Sequence, residues 1–264
     1  MSEKSGVDRT LAAQVLLAAI SERGSDASGY AFRGPAVPLS IHKQRARASE
    51  LIDSVGVPGG ATQALLHVRD YTKGHPSLHS NNHPIRHGTV VGVHNGIIAN
   101  DEQIFSRYHI EREQPEMTVD SEAIFALVEY AGSSRYQLAL EKLYGSMATA
   151  WFDEREPDVL FAARGVGRPL WLGQGEHEVV LASTVAALEL VERYAGAPLE
   201  KREVAEGTLL GLSRGRVVRR EAFGLDRSFE EDPLPPPRDR ALEERRSCLA
   251  RVAALAVTAG KAAF

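Results

Sequence analysis

Residues 91–101 read "VGVHNGIIAND", an apolar run that is interrupted by His94-Asn95-Gly96. Asn-Gly is a strong turn signal because both residues tolerate positive φ. A plain β-turn is therefore the simplest interpretation of this stretch. The alternative is that the Asn95 amide and the Gly96 backbone N–H stand together at the end of a strand. Two such donors are suited to holding an oxyanion, and the neighbouring segments must decide between the two interpretations.

Length and composition are typical of a soluble globular protein with one large domain. The 264 residues are 43% hydrophobic and 25% charged, with a formal net charge of −4, so no global field attracts nucleic acid or an anionic membrane. An apolar run of about 18 residues, the length needed to span a membrane, is not found. Residues 1–10 have no apolar signal core, and the single cysteine fits a reducing compartment. We expect a cytoplasmic protein without nucleic-acid or membrane partners.

Hydrophobic periodicity predicts a mixture of helices and strands. A helix over 8–22 has Asp8 as a plausible N-cap and Gly24 as a plausible stop. Further helices are expected at 45–53, 101–108, 121–131 and 185–194, and strands at 29–34, 37–42, 62–69, 88–94, 146–153, 158–165, 178–184 and near 208–220. Strand pairs follow one another and helices are grouped between them, which favours an α+β fold with largely antiparallel sheets over regular βαβ winding.

The C-terminal region differs in composition from the rest. Residues 230–240, "EEDPLPPPRDR", predict a linker or extended arm, because proline fixes φ and removes a donor. Helical spacing of apolar residues follows this arm, so the tail helix could pack on the domain or on a partner. We therefore divide the sequence into a domain at 1–229 and an arm with a helix at 230–264. Cys248 in that helix is expected to be structural rather than reactive.

Polar side chains follow several apolar strands and helices. Arg69 ends a strand and presents a fixed fork of donors that suits a carboxylate, although a salt bridge is the simpler use of a lone arginine. Asp120 precedes a helix and could be its N-cap, with Ser121 as a competitor. Arg23 follows the first helix and could interact with its C-terminal dipole.

Metal and cofactor motifs are not apparent in the sequence. Histidines recur every four residues from His75 to His87, a spacing that would align them on a helix. Pro76 and Pro84 make a continuous helix implausible there. HExxH, CxxC, GxSxG and GxGxxG patterns are missing. We expect neither a metal nor a cofactor.

Five short motifs occur in a fixed order: "RGSDASG" at 23–29, "HVRDYTKG" at 67–74, "NHP" at 82–84, "HNG" at 94–96 and "VDSE" at 119–122. Together they resemble the glutaminase domain of class II glutamine amidotransferases, which are N-terminal-nucleophile hydrolases. This family includes the glutaminase halves of glucosamine-6-phosphate synthase, amidophosphoribosyltransferase and asparagine synthetase. The resemblance covers about residues 10–190 and implies a four-layer αββα sandwich of mainly antiparallel sheets.

The resemblance also implies roles for individual residues. Arg69, assisted by Thr72, would hold the α-carboxylate of glutamine, and Asp120 would hold its α-ammonium group. The Asn95 amide and the Gly96 N–H would form the oxyanion hole. The same motifs place His94 and Arg23 among the substrate-binding residues. Pairing a charge with each end of a small zwitterion fixes the position of its side-chain amide.

The sequence departs from the family at the nucleophile. In the family this is a cysteine at the mature N-terminus, whose α-amine serves as the base and which begins a buried strand of the type C-G-I-x-G. Here residues 1–9 read "MSEKSGVDR", and the single cysteine, Cys248, lies far away in the sequence. We therefore expect that the first strand and the nucleophile are missing. The chain as it stands is then expected to be inactive. Ser2 is chemically reasonable as a substitute, but its surroundings show no apolar alternation.

Two explanations remain open: a native start upstream that supplies the cysteine, or a degenerate relative that has lost catalysis. The intact pocket residues favour the first. Family members usually carry a larger synthase domain than the residues after 190 allow, so the resemblance implies a stand-alone domain whose ammonia acceptor is a separate polypeptide. Asp70 and Lys73 replace residues that are often aromatic and histidine in synthases, which leaves the substrate amide open. The alternatives are a non-catalytic glutamine sensor and a hydrolase of another γ-glutamyl amide.

Overall fold

The structure is a computed structural model that describes residues 1–231 and 239–260. Short 3-10 helices lie at Ser21–Arg23, Ile52–Ser54, His79–Asn81 and Ser133–Arg135. The α-helices are α1 (Arg9–Ala19), α2 (Ala48–Leu51), α3 (Asp101–Tyr108), α4 (Glu122–Ala131), α5 (Tyr136–Leu140), α6 (Val185–Ala195) and α7 (Asp239–Thr258).

Twelve strands of the described residues form three antiparallel sheets. The strands are β1 (Ala27–Gly34), β2 (Val37–Gln44), β3 (Gln63–Arg69), β4 (Ile85–His87), β5 (Val90–Ile98), β6 (Gly145–Asp153), β7 (Leu160–Arg164), β8 (Trp171–Gln174), β9 (Val179–Ala182), β10 (Glu200–Glu203), β11 (Thr208–Ser213) and β12 (Arg216–Ala222). The largest sheet has the order β12-β11-β7-β6-β5-β4, and the two smaller sheets have the orders β2-β1-β3 and β10-β8-β9.

The elements stack in four layers, as the α+β sandwich prediction required. Helices α3, α4 and α5 share an apolar cluster with the outer face of the six-stranded sheet, centred on Trp151 and Phe125. Helices α1, α2, α6 and α7 share a second cluster with β1, β3 and β9, where Phe32, Val68 and Val180 are buried. Smaller clusters lie between the two sheet layers. The fold class is therefore confirmed as an αββα arrangement of mainly antiparallel sheets.

The first helix begins as its sequence predicts and ends earlier. The Asp8 side chain accepts a hydrogen bond of 3.0 Å from the Leu11 N–H, which caps α1 and satisfies one of its orphan donors. The helix ends at Ala19 rather than at 22, and a 3-10 turn follows it. Residues 1–8 form no strand, so β1 after this helix is the first strand of the described chain.

The structure decides one open interpretation, shortens one expected helix and adds strands that the sequence did not predict. Asn95 and Gly96 do not form a turn, because β5 continues to Ile98 and pairs with β6 throughout. The helix expected at 45–53 is a single turn of α-helix, Ala48–Leu51, followed by a 3-10 turn. The short strands β8 and β10 were not anticipated, since "EKRE" in β10 has no apolar alternation.

The C-terminal helix packs on the domain. Cys248, Val252 and Ala256 of α7 are buried in the cluster that contains α1. Glu244 accepts hydrogen bonds from both the N–H and the hydroxyl of Ser49, at 2.8 and 2.9 Å. The core of the proline-rich arm, residues 232–238, lies outside the described residues, so the boundary at 229 stays a prediction. None of the described helices combines the length and apolarity that a membrane crossing would demand.

Candidate active site

A large cavity opens in the layer that holds the two three-stranded sheets, in the gap between β3 and β9. Its volume is about 880 Å³. Residues 62–69 line one side and residues 179–183 the other, while α1 and the six-stranded sheet line the two remaining walls. Every site residue predicted from the sequence lines this cavity: Arg23, Arg69, Thr72, His94, Asn95, Gly96 and Asp120.

Arg69 stands at the end of β3 with its side chain buried. It donates to the Asn82 side-chain carbonyl at 2.8 Å and to the backbone carbonyls of Lys73 and Gly74. Burial is the main cause that lowers the pKa of Arg69, and the nearby Asp120 carboxylate opposes this shift. The guanidinium has five N–H donors. Three of them hold the loop at 73–82, which leaves two for a ligand in the cavity.

Asp120 is held against the end of β5. One of its carboxylate oxygens accepts a hydrogen bond of 2.7 Å from the Ile98 N–H. The residue is only 3% exposed. It does not cap α4, whose N-cap position belongs to Ser121 without a side-chain cap bond. Asp120 is therefore not the cap of α4. Its second carboxylate oxygen makes no hydrogen bond of this kind within the described residues, and the residue lines the cavity.

Asn95 and Gly96 lie within β5, opposite Ala148 and Met147 of β6. The Asn95 Nδ2 is buried and has no hydrogen-bond partner among the described residues, although a buried amide donor without a partner is costly. Gly96 has φ +143°, and a Cβ at this position would lie 2.0 Å from the Ser146 carbonyl oxygen. Only glycine fits here.

His94 connects this strand to α4 and β6. Its Nε2 lies 3.2 Å from the Ser146 carbonyl oxygen and its Nδ1 lies 2.9 Å from the Ser121 hydroxyl. Because a carbonyl only accepts, Nε2 carries the proton and Nδ1 accepts from Ser121. Burial is the main cause that lowers the pKa of His94. The ring is therefore a neutral spacer that fixes the strand carrying Asn95.

Two further histidines extend this neutral cluster. His67 of β3 donates from Nε2 to the His94 carbonyl oxygen at 3.0 Å, and burial lowers its pKa to about 3. His83 stacks on His67 with ring centroids 4.1 Å apart. Burial likewise lowers the pKa of His83 well below its usual value. Both residues belong to the predicted motifs, but no local sequence pattern predicts that their rings stack.

Arg168 is a site residue that sequence reasoning missed. It lines the cavity, and its Nε lies 3.4 Å from the Ser146 hydroxyl. Its charge, after burial, helps to lower the pKa of Arg23 on the opposite wall. Arg168 lies in the stretch "ARGVGRPL" at 163–170, which has no GxGxxG pattern and no other local signal of a binding residue. Arg168 also forms an ion pair with Glu231, which balances its charge at the cavity.

The cavity holds acidic, basic and amide groups but no cysteine. Cys248 lies in α7 outside the cavity lining and is buried, and burial raises the pKa of its thiol to about 12. Thr72 lines the cavity at an exposed position of the loop after β3. Across residues 1–231 and 239–260, no cluster of three side chains suited to a metal ion is found.

The fold and the cavity define an amidotransferase sandwich of the N-terminal-nucleophile hydrolase type. One similar solved structure is glutamine phosphoribosylpyrophosphate amidotransferase from B. subtilis complexed with ADP and GMP. It has a TM-score of 0.67 and 21% identity, with 83% of this chain and 47% of that chain covered. Another is an allosteric regulatory enzyme of purine biosynthesis, with a TM-score of 0.66, 23% identity and coverage of 81% and 46%.

Sequence comparison gives the family. Residues 66–190 match the model described as "Glutamine amidotransferase domain". The glutamine–fructose-6-phosphate aminotransferase (isomerizing) of Aliivibrio fischeri is 34% identical over 212 residues, which are 75% of this chain and 34% of that protein. The Vibrio vulnificus protein of the same name is 32% identical over 218 residues, 79% and 33% respectively. The chain is homologous to the class II glutamine amidotransferases, as its motifs predicted, and spans about a third of the length of these relatives.

Proposed function

We propose that the cavity binds glutamine and supports hydrolysis of its side-chain amide to glutamate and ammonia. The observation that carries this proposal is the convergence of Arg69, Asp120, Asn95 and Gly96 on one cavity. These residues come from three separate elements, so local structure alone does not bring them together.

Charge complementarity supports an amino acid as the ligand. In this proposal the two remaining donors of Arg69 bind the α-carboxylate of glutamine, and the remaining oxygen of Asp120 binds its α-ammonium group. Arg69 and Asp120 line the same cavity, and the Asp120 carboxylate opposes the lowering of the Arg69 pKa by burial. In a buried site such charge-assisted hydrogen bonds are short and strong.

The unpartnered Asn95 amide supports catalysis rather than binding alone. A donor that lacks a partner in the free protein is poised for charge that develops during the reaction. The N–H of Gly96 is the second donor of the proposed oxyanion hole. His94 keeps β5 in place through its two ring nitrogens and acts as a positioning residue.

The nucleophile in this proposal is an N-terminal cysteine supplied by a native start upstream of Met1, with its own α-amine as the base. The ammonia released would pass to an acceptor on a separate synthase polypeptide. The cytoplasmic location expected from the sequence remains a prediction.

A glutamine-binding pseudoenzyme is the second candidate. It is favoured by the cysteine-free lining of the cavity within the described residues. A sensor needs Arg69 and Asp120 but gains nothing from a preorganised oxyanion hole. The unpartnered Asn95 donor is therefore the feature that separates the two candidates, and it favours the enzyme. A hydrolase of another γ-glutamyl amide would use the same groups with a different leaving group.

Calorimetry with glutamine tests the binding half of the proposal. We expect the protein to bind glutamine weakly, Arg69→Ala to abolish binding, and Asn95→Ala to leave the ground-state affinity nearly unchanged. Thermal unfolding of Arg69→Ala must be measured in parallel, because Arg69 also holds the loop at 73–82. Unchanged affinity in a folded Arg69→Ala variant would refute the assignment of the pocket. Titration with γ-glutamyl methylamide in place of glutamine tests whether the pocket also binds another γ-glutamyl amide.

A further inference from the structure

The two charged groups proposed to bind glutamine lie on different parts of the chain. Arg69 ends β3, whereas Asp120 precedes α4. The Arg69 guanidinium donates to the backbone carbonyls of Lys73 and Gly74, so it is attached to the loop that follows its own strand. The contacts that hold this loop beside Asp120 therefore determine how far apart the two charged groups stand.

The loop packs directly on the segment before α4. Gly74 has φ +80°, and a Cβ at this position would lie 2.9 Å from backbone atoms of Val119. The buried Asn81 side chain accepts hydrogen bonds through Oδ1 from the N–H groups of Thr118, at 2.9 Å, and Val119, at 3.2 Å. The loop is therefore bonded to the two residues that come immediately before Asp120.

Charged side chains join the same two segments. The Lys73 ammonium group contacts the carboxylate of Asp101 and, at 3.3 Å, that of Glu102, the first two residues of α3. Arg112 contacts the same oxygen of Asp101 at 3.4 Å and donates to the Val119 carbonyl oxygen at 3.2 Å. A continuous path of polar contacts thus runs from the loop, through the start of α3, to the segment before α4.

The Asp101 carboxylate is the central member of this path. Its side chain is 3% exposed, whereas that of Glu102 is 67% exposed. Removing a cationic partner from a buried carboxylate costs more than removing one from an exposed carboxylate. We therefore expect the contact between Lys73 and Asp101 to hold the loop more firmly than the contact between Lys73 and Glu102.

The lysine at this position is a feature of this chain. Lys73 replaces a residue that is often histidine in the synthases that the motifs resemble. A histidine side chain is shorter than that of lysine and is mostly neutral at pH 7. The ion pair with Asp101 is therefore not implied by the resemblance and follows from the structure alone.

We propose that Lys73 is a positioning residue for the ligand of the cavity. Through Asp101 it holds the loop against the segment before α4 in the free protein. The spacing between the Arg69 guanidinium and the Asp120 carboxylate is then fixed before a ligand binds. An α-amino acid, which carries its ammonium and carboxylate groups on one carbon, therefore binds without first having to order the loop. The inference rests on the proposed function only for the identity of this amino acid as glutamine.

Hydrogen exchange of the free protein tests the positioning role without a ligand. The probes are the N–H groups of Thr118 and Val119, which bond to the Asn81 side chain. We expect Lys73→Met to speed their exchange about tenfold, because the loop then opens more often. The amides of β6 are the internal control and should not change.

Two comparison variants separate the charge of Lys73 from other effects of its substitution. Lys73→Arg retains the positive charge and should keep the exchange of the two probe amides slow. Lys142→Met removes an exposed lysine after α5 and should leave the exchange as it is in the parent protein. Acceleration in Lys142→Met as large as that in Lys73→Met would show that the loss of any nearby positive charge is sufficient, which contradicts the inference.

Variants of the two carboxylates identify the partner of Lys73. Asp101→Asn should speed the exchange of the probe amides at least as much as Lys73→Met. The double variant should exchange no faster than Asp101→Asn alone, since residues that act through one contact are not additive. Glu102→Gln is the matched control at an exposed carboxylate and should have a smaller effect. Fully additive effects of Lys73→Met and Asp101→Asn would refute the proposed contact.

Calorimetry with glutamine connects the loop to the ligand. Lys73→Met should weaken binding about tenfold, because part of the binding energy is then spent on ordering the loop. Lys73→Arg should restore the affinity of the parent protein. If the parent protein does not bind glutamine, the proposed function fails, and the exchange measurements still decide whether Lys73 holds the loop.

Three outcomes would overturn the inference. Unchanged exchange at Thr118 and Val119 in Lys73→Met would mean that the ion pair does not hold the loop. Equal acceleration in β6 would indicate a loss of global stability instead of a local release. Weaker glutamine binding with unchanged exchange would mean that Lys73 contacts the ligand directly rather than through Asp101.

Discussion

The two sheet layers of this sandwich are built to different degrees of completeness. The six-stranded layer is continuous, and its outer face is filled by rings of Trp151, Phe161 and Tyr136, whose centroids lie 4.9–5.6 Å apart. The facing layer is divided into two sheets of three strands, with a cavity of about 880 Å³ between them. Protein interiors are normally close-packed. A gap of this size therefore indicates a place where a further group binds.

The comparison shows how the site is constructed. The continuous layer supplies the rigid part, since Asn95 and Gly96 lie within β5 and pair with Ala148 and Met147 of β6. The divided layer supplies Arg69, at the end of an edge strand. Electrostatic preorganisation needs rigid donors, whereas substrate and nucleophile need space. Each layer provides one of these two requirements.

The largest expected effect concerns the continuous layer. Gly96→Ala should lower the free energy of unfolding by about 4 kcal/mol, because φ +143° is unfavourable for alanine and its Cβ would meet the Ser146 carbonyl. Urea unfolding followed by tryptophan fluorescence measures the change. Gly56→Ala is the matched control, since no atom lies within 4 Å of the added Cβ. Equal stabilities of the two variants would show that β5 tolerates a side chain at Gly96.

The sequence predicted elements whose signals are local. Asp8 caps α1, and α3 spans the predicted residues 101–108, because capping and helical periodicity act within a few residues. Asn95-Gly96 was ambiguous because its conformation is decided by pairing with β6, about fifty residues later. Turn propensity carries no information about such a partner.

The candidate site shows the same limit. Arg69 and Asp120 were selected as polar residues beside apolar strands or helices, and the family resemblance supplied their roles. That they share one cavity depends on the stacking of two sheets, which no local pattern encodes. Arg168 was missed because its contacts with Ser146 and the cavity are likewise non-local. The roles of these residues stay predictions until the variants are measured.

The second effect tests the oxyanion hole in a variant of this chain that is extended before Met1 by a short segment beginning with cysteine, called here the N-terminal cysteine extension. Asn95→Ala should lower kcat for glutamate release by 10²–10³-fold, or about 2.7–4 kcal/mol of barrier, with little change in KM. Coupled detection of glutamate gives both constants. Asn100→Ala serves as a control, because that asparagine bonds to Lys142 and Tyr144 outside the cavity lining. A rise in KM of the same 10²–10³-fold size at constant kcat would mean that Asn95 contributes only to binding of the substrate in its ground state.

The third effect concerns how the free energy of unfolding depends on pH. Burial lowers the pKa of His67 to about 3 and that of His83 well below its usual value. Between pH 6.5 and these lower values, the unfolded state binds more protons than the folded state, so stability falls as the pH falls. Each histidine contributes about 1.4 kcal/mol per pH unit in that window. Urea unfolding between pH 6.5 and 5 should show this slope.

His83→Phe sharpens this test. Neither ring nitrogen of His83 has a hydrogen-bond partner in the described structure, so phenylalanine keeps the stacking on His67 without losing a bond. The free energy of unfolding of this variant should depend less steeply on pH, because about one proton fewer is taken up on unfolding. His109→Asn, at an exposed helix end, provides the control. An unchanged slope in His83→Phe would mean that this ring is protonated in the folded protein or hydrated within it.

The smallest expected effect separates Cys248 from the chemistry. Its thiol is buried in the helical layer and burial raises its pKa to about 12, so very little thiolate exists at pH 8. The native protein should react with a thiol reagent such as DTNB at least a hundredfold more slowly than the urea-unfolded protein. Cys248→Ser should retain the glutamate release of a chain carrying the N-terminal cysteine extension. Rapid labelling of the native protein, or loss of activity in a folded Cys248→Ser variant, would place a reactive thiol in the helical layer. The functional distinction between that layer and the cavity would then fail.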